Sequence, residues 1–325
     1  MDNRLRAVMG RQGGVVSAAD ARAVGVDQVE LRRSVARRSL VRVRRGAYVD
    51  GAQWSVAQDE ERYRLAAMAV ARSRPGDILS HHAALALHGL PLWGHDPSRF
   101  DLLSPVRQVT SRRGLHLHPS TALVATPIDG VPAAPIAHSI VGTALTMGRD
   151  CAVVAGDAAL RAGLVTVEEL LTQVAVISPH QGRGRALAAV LAMDAKAESV
   201  GESRTRLVLL DLGLAHESQV VITDAFGGFL ARVDFLVEGV VLEFDGRGKY
   251  QRTRDVEDRE ARDPADVLWL EKRREDSIRG RGHPVERVVW DELRRPGLLG
   301  ARLRAARPRS SLPATHPETF TGTVL

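Results

Sequence analysis

Residues Ala231 to Tyr250, ARVDFLVEGVVLEFDGRGKY, decide how the C-terminal part of this chain is read. Two short apolar runs flank Glu238-Gly239, and each run carries acids. A turn centred on that pair places Asp234 opposite Glu243. Strand side chains alternate in direction. Val233, Phe235 and Val237 then share a face with Val240, Leu242 and Phe244, while Arg232, Asp234, Glu243 and Asp245 share the other. Directly opposed residues have Cβ atoms roughly 4.5–5.5 Å apart, where like charges repel. An Asp–Glu pair kept in such a place needs a cation between its members.

Working outward, a helix opens at Ser199-Val200-Gly201-Glu202 and runs to about Leu212. A strand follows over Ser218–Thr223, then the hairpin, a helix over Ala265–Arg279, a strand over Val285–Val289, and Trp290-Asp291-Glu292-Leu293. This α-β-β-β-α-β order is a common layout for a small nuclease core. Roughly residues 198–295 resemble the PD-(D/E)XK nuclease superfamily, in particular the branch close to very-short-patch-repair endonucleases. The residues that carry the resemblance are Gly201-Glu202-Ser203, Val233-Asp234-Phe235, Glu243-Phe244-Asp245-Gly246-Arg247-Gly248-Lys249 and Glu271-Lys272-Arg273-Arg274-Glu275-Asp276. Lys249 stands where relatives often carry His, and Asp245 where the broader superfamily has its lysine.

The resemblance implies phosphodiester hydrolysis with Glu202, Asp234, Glu243, Asp245 and Lys249 as the catalytic set. Asp234 and Glu243, with Glu202, would hold Mg²⁺ or Mn²⁺ through hard oxygen ligands. Such an ion lowers the pKa of a bound water and neutralises charge on the phosphate. Lys249 would offer a point charge to the phosphate oxygens. Each residue also has an ordinary role. Glu202 completes a capping box begun by Ser199, Asp245 before Gly246 suits a strand-to-turn junction, and Lys249 suits a solvated loop. Glu271, Lys272, Arg274 and Glu275 read most simply as an exposed helix face with i,i+4 pairs.

At 325 residues the chain has room for two or three domains. The N-terminus carries no apolar segment of the secretory type, and no apolar run approaches 18 residues, so a cytoplasmic protein without a membrane span is expected. Cys151 is the one cysteine, which excludes an intrachain disulfide and a cysteine metal cluster. Residues 1–50 hold eleven Arg against five acids, a surplus equal to the whole chain's net charge of +6. A basic surplus confined to one end suggests an anionic partner for that end.

That basic end reads as three short helices and a hairpin. Asn3–Arg11 precedes Gly13-Gly14, Ser17 caps a second helix ending at Gly25, and Asp27 caps a third. The third places Leu31 and Val35 on one face and Gln28, Arg32 and Arg33 on the other. Residues Leu40 to Val49 alternate apolar side chains with Arg42, Arg44 and Arg45, as an exposed wing would. A helix for the major groove and a basic wing for the phosphates make these six polar residues candidate DNA contacts. Gly14-Val15-Val16-Ser17, the Leu31…Ser39-Leu40-Val41 segment and Arg45-Gly46-Ala47-Tyr48-Val49 resemble the N-terminal winged-helix domain of AbiEi-type antitoxins of type IV toxin–antitoxin systems.

Between the ends, a helix over Asp59–Ser73 stops before Pro75-Gly76, and Ser80 caps a helix beginning His81-His82. The Leu79–Gly89 run resembles the middle region of the same antitoxin-like proteins. Weak strands near 99–103 and 114–118 precede helices near 138–147, 151–162 and 166–176, and residues 177–187 read as a linker. His81, His82, His88, His116 and His118 lack acids or cysteines at ligand spacing and read as packing and capping residues.

The sequence thus predicts an α+β multidomain protein. A winged helix-turn-helix covers 1–52, a mixed α/β middle region 53–190, a restriction-endonuclease-like core 191–307 and a disordered tail 308–325. The expected function is DNA binding joined to a Mg-dependent endonuclease. The alternative is an antitoxin-like transcriptional regulator whose nuclease fold is catalytically inactive. Expected partners are DNA and a cognate toxin. Winged-helix proteins often form homodimers, although no heptad or repeat here requires one.

Overall fold

A computed structural model describes residues 1–120, 124–246 and 264–308, without the side chains of residues 179, 264–268, 270 and 271. Lys249 and the tail beyond Pro308 lie outside the described residues. The chain is a mixed α+β protein that divides into two compact units, Met1–Arg204 and Thr205 onward. The expected head and middle region both fall in the first unit.

The first unit begins with α1 (Asn3–Arg11), β1 (Val15–Ser17), α2 (Ala18–Ala23), α3 (Gln28–Ala36), β2 (Leu40–Arg44), β3 (Ala47–Asp50) and α4 (Gly51–Val56). Short polar side chains start these helices, as the sequence suggests. Ser17 and Asp20 form a reciprocal capping box on α2, and Asp27 accepts the Glu30 N–H at 2.8 Å on α3. The strands form an antiparallel sheet in the order β1-β3-β2. Leu5, Met9, Leu31, Leu40 and Tyr48 fill the core between the helices and this sheet. Gly51 permits a close crossing, because a Cβ there would lie 2.0 Å from the Arg38 carbonyl oxygen.

The next helix, α5 (Asp59–Arg72), is buried continuously from Leu65 to Ala71. A helix apolar all round must be covered all round. It packs on β1 and β3 on one side and on α6 (His81–Leu87) on another, which is why the head and middle region form one unit. The middle sheet is built from β4 (Ile78–Leu79), β5 (Phe100–Ser104), β6 (Thr110–Arg112), β7 (Leu115–Pro119), β8 (Thr126–Ile128) and β9 (Val131–Ala133). Its order is β6-β7-β5-β4-β9-β8, with β5–β7 and β4–β9 parallel.

Then come α7 (Ile136–Thr146), α8 (Arg149–Arg161), α9 (Val167–Ala175), a 3₁₀ turn at Pro179–Gln181 and α10 (Arg183–Leu191). The expected linker over 177–187 is therefore largely ordered secondary structure. Arg183 donates to the carbonyls of Ile177 and Ala175, and Ala186, Ala189 and Val190 are buried.

The division between units falls within α11 (Val200–Asp211). The second unit adds β10 (His216–Thr223), β11 (Phe229–Val237), β12 (Val240–Phe244), α12 (Pro264–Gly280), β13 (Val285–Val288), α13 (Trp290–Leu293) and α14 (Pro296–Ala306). From α11 to β13 this is the α-β-β-β-α-β order expected, with α14 beyond it. The sheet runs β10-β11-β12-β13, with β12–β13 parallel and the others antiparallel. Glu238 and Gly239 both have positive φ, at 49° and 88°, as the tightest hairpin turns require.

Phe235, Val237, Val240, Leu242 and Phe244 pack on one side with Val208, Leu209 and Leu299, as alternation predicts. Val233 departs from that expectation and clusters with Val241 and Ile278. Replacing buried Phe235 with Ala should cost about 3–5 kcal/mol. The 97 % exposed Phe226 changed to Ala should shift stability by no more than about 0.5 kcal/mol. Urea unfolding of the two variants checks the pair.

Candidate functional site

In the head, α3 presents Gln28, Arg32 and Arg33 to solvent while Leu31 and Ser34 are buried. Arg42 and Arg45 on the β2–β3 hairpin are exposed as well. Among the described residues, Arg32, Arg33, Arg42 and Arg45 have no carboxylate partner. Arginines deeper in the first unit are paired: Arg64 with Glu61 and Asp129, Arg99 with Asp101. Arg44 differs from its neighbours. It is half-buried and donates to the Arg113 carbonyl, and burial, followed by nearby Arg74 and Arg113, lowers its pKa. Five of the six expected contacts thus stand on the surface, and the sixth ties the hairpin to the residues before β7.

In the second unit the hairpin has the register its turn predicts, Val237↔Val240, Leu236↔Val241 and Phe235↔Leu242. The ladder stops there, one pair short of Asp234 and Glu243. Instead, the Asp234 carboxylate accepts the Phe244 N–H through Oδ2 at 2.8 Å, while Glu243 pairs in parallel with Arg287 of β13. On the other flank of Asp234, Gln219 of β10 has a positive φ of 53° between the regular pairs Ser218↔Phe235 and Val220↔Val233. Regular pairing is thus interrupted on both sides of this acid.

The cation that the sequence demands is a guanidinium. Arg274 of α12 donates to Glu243 Oε1 at 2.6 Å, with Glu243 16 % and Arg274 35 % exposed. Its other terminal nitrogen reaches the Arg232 carbonyl at 3.4 Å. Arg274 therefore leaves the exposed helix face assigned to it from sequence and fastens α12 to the sheet. Glu275 does likewise, meeting Arg287 of β13 at 3.3 Å as well as Arg279 on its own helix at 2.7 Å. The side chain of Glu271 lies outside the described residues, and Lys272 is exposed.

Glu202 and Asp245, of the remaining predicted residues, make the following contacts. Glu202 belongs to the first unit, is buried, and accepts the Ser199 hydroxyl and the Glu198 N–H, each at 2.9 Å. Its own N–H donates to Ser199 Oγ at 3.1 Å, so the capping role read from sequence is present. Asp245 is half-buried and its N–H donates to the Val288 carbonyl at 2.9 Å.

Asp234 and Glu243 offer the hard oxygens that Mg²⁺ prefers. Each carboxylate, however, already has an oxygen bound to a protein donor, and a dication would compete with Arg274 at 2.6 Å. Among the described residues, Asp234, Glu243 and Asp245 do not make a three-ligand group. A Mg²⁺ ion there would have to displace Arg274 or use the other oxygens of the two carboxylates, with water completing its shell.

A group that sequence reading missed lies in the middle region. His81, Asp101 and His118 bring their ligand atoms within 4.8 Å of one another. The missing signal was Asp101, which the fold supplies from β5. Arg99 grips it through Nε and Nη2, both at 2.8 Å, and His118 Nε2 meets Oδ1 at 2.6 Å. Burial alone would raise the Asp101 pKa, but the hydrogen bonds from Arg99 and His118 outweigh it and hold the acid well below the usual carboxylate range. Burial pushes His81 far below its ordinary value and His82 to about 4, with Asp101 opposing it in both cases. Ser80 does not cap α6 through its side chain; its hydroxyl meets His81 Nδ1 at 2.9 Å.

No family model matches the chain, and no curated protein matches it. Among the described residues, no helix is long and apolar enough to cross a membrane.

The Arg274–Glu243 contact yields a quantitative expectation. Arg274→Ala should destabilise the second unit by about 1 kcal/mol, after discounting the charged hydrogen bond for its partial exposure. Glu243→Ala in the same background should cost less than it does alone, as coupled partners do. A double-mutant cycle in urea checks both.

Proposed function

We propose that this protein binds duplex nucleic acid through its N-terminal head and that its second unit is a nuclease-like scaffold whose acidic hairpin is closed by Arg274. The observation that carries this reading is the solvent-facing set Gln28, Arg32, Arg33, Arg42 and Arg45, whose arginines have no carboxylate partner among the described residues. Two helices joined by a turn, followed by a sheet hairpin, support reading the head as a winged helix. In that reading α3 enters the major groove and the β2–β3 hairpin lies along the phosphates. Gln28, Arg32 and Arg33 would then read base edges, while Arg42 and Arg45 would set position. The resemblance of the head to AbiEi-type antitoxins supports a regulatory role, with a cognate toxin as a further partner.

Neutralising Arg42 or Arg45 should lower the slope of log affinity against log salt by about 1 each and weaken all duplexes alike. Changing Arg32 or Gln28 should act on sequence preference, by about 1–3 kcal/mol at the base involved. Fluorescence anisotropy across a salt series measures both. A slope unchanged in Arg42→Ala and Arg45→Ala would sink the assignment.

A second reading, metal-dependent phosphodiester cleavage, is favoured by one observation. Pairing is interrupted on both sides of Asp234, which places two half-buried acids at an opening in the sheet. It predicts DNA cleavage by the purified chain with Mg²⁺ or Mn²⁺, lost in Asp234→Ala and Glu243→Ala. The scaffold reading predicts no such cleavage and no dependence of DNA affinity on divalent metal.

A further inference from the structure

The histidine cluster of the middle region has a geometry that packing alone does not explain. His82 is fully buried, and its Nε2 lies 3.3 Å from the Arg99 carbonyl oxygen, which can only accept. Nε2–H therefore donates to it. Nδ1 sits 3.5 Å from Asp101 Oδ2 and has no hydrogen-bond partner among the described residues. A second buried nitrogen, His138 Nε2, also has no partner among the described residues, but it lies outside the three-residue group. His138 stands edge-on to His81 at 6.3 Å between ring centroids, and the His81 and His118 rings stack at 4.2 Å.

Native structures leave few buried polar atoms unsatisfied, and an ion is one of the explanations such atoms require. Backbone strain points the same way. His81 is a non-glycine residue at φ 51°, and its ring lies against Gly142 of α7, where a Cβ would come within 2.9 Å of Cδ2 and Nε2. Conformations of this kind persist where the surroundings hold a side chain in a required position. Only glycine at 142 leaves room for that ring.

We propose that His81, Asp101 and His118 bind a first-row transition-metal dication of the Zn²⁺ class. Imidazole nitrogens with one carboxylate select such ions over Mg²⁺ and Ca²⁺, which prefer all-oxygen shells. Arg99 is the outer partner that orients the ligating carboxylate. Three protein donors leave the fourth position of a tetrahedral shell to water. The ion ties α6, β5 and β7 together. It shares no residue with the basic set of the head or with the acidic hairpin, so it stands independently of the proposed function.

The test uses the full chain, stripped with a chelator and titrated with Zn²⁺ by calorimetry, with Co²⁺ as a spectroscopic probe. Saturable binding of one ion per chain and a higher Tm with Zn²⁺ are expected. His118→Gln and His81→Gln should each weaken binding by about tenfold or more, while Glu168→Gln, at an exposed position of α9, leaves it unchanged. The Co²⁺ form of the wild type does not depend on whether any variant folds, and it should show the intense visible bands of tetrahedral nitrogen–oxygen ligation. Absence of saturable Zn²⁺ binding, binding that His118→Gln and His81→Gln both leave intact, or a weak octahedral Co²⁺ spectrum would each overturn the proposal.

Discussion

The guanidinium of Arg274 against the carboxylate of Glu243, at 2.6 Å, is the contact on which the second unit turns. Two acids on neighbouring strands repel unless something positive stands near them. Here the positive group arrives on α12, so relieving the repulsion and docking the helix are one event. The same contact decides how the hairpin is understood. This pair has an Arg on Glu243 and the Phe244 N–H on Asp234.

In the proposed reading, the anion-binding surface lies at the N-terminal end of the chain. The arginines of the first unit fall into two groups. Arg64 and Arg99 neutralise acids within the fold, and Arg44 holds a carbonyl. Arg32, Arg33, Arg42 and Arg45 face solvent with no carboxylate partner among the described residues. Charge held out in this way costs little in water and is available to a polyanion. Composition alone shows the basic surplus, but only the fold shows which arginines are already committed.

Much of the fold was legible because the signals are local. Ser17 and Asp27 mark helix starts, Glu238-Gly239 marks a hairpin, and period-two alternation over residues 233–244 marks most of a buried face. Less of the site was legible because its contacts are not local. Arg274 meets a residue 31 positions earlier, and Asp101 meets His118 across 17. No spacing rule links such pairs. The histidines of α6 lacked an acid in sequence and acquired one when β5 formed beside them. Helix α10 was missed because Gly182 and Gly184 read as linker residues, whereas Ala186, Ala189 and Val190 supply the buried side. Val233 broke the alternation next to Asp234, where the ladder itself is irregular.

Amide hydrogen exchange of the full chain, with and without duplex DNA, addresses the central assignment most directly. The account predicts protection concentrated on α3 and the β2–β3 hairpin, residues 28–33 and 42–45, with the acidic hairpin over 231–246 unchanged. Protection confined to 231–246, with the head unaffected, would contradict it.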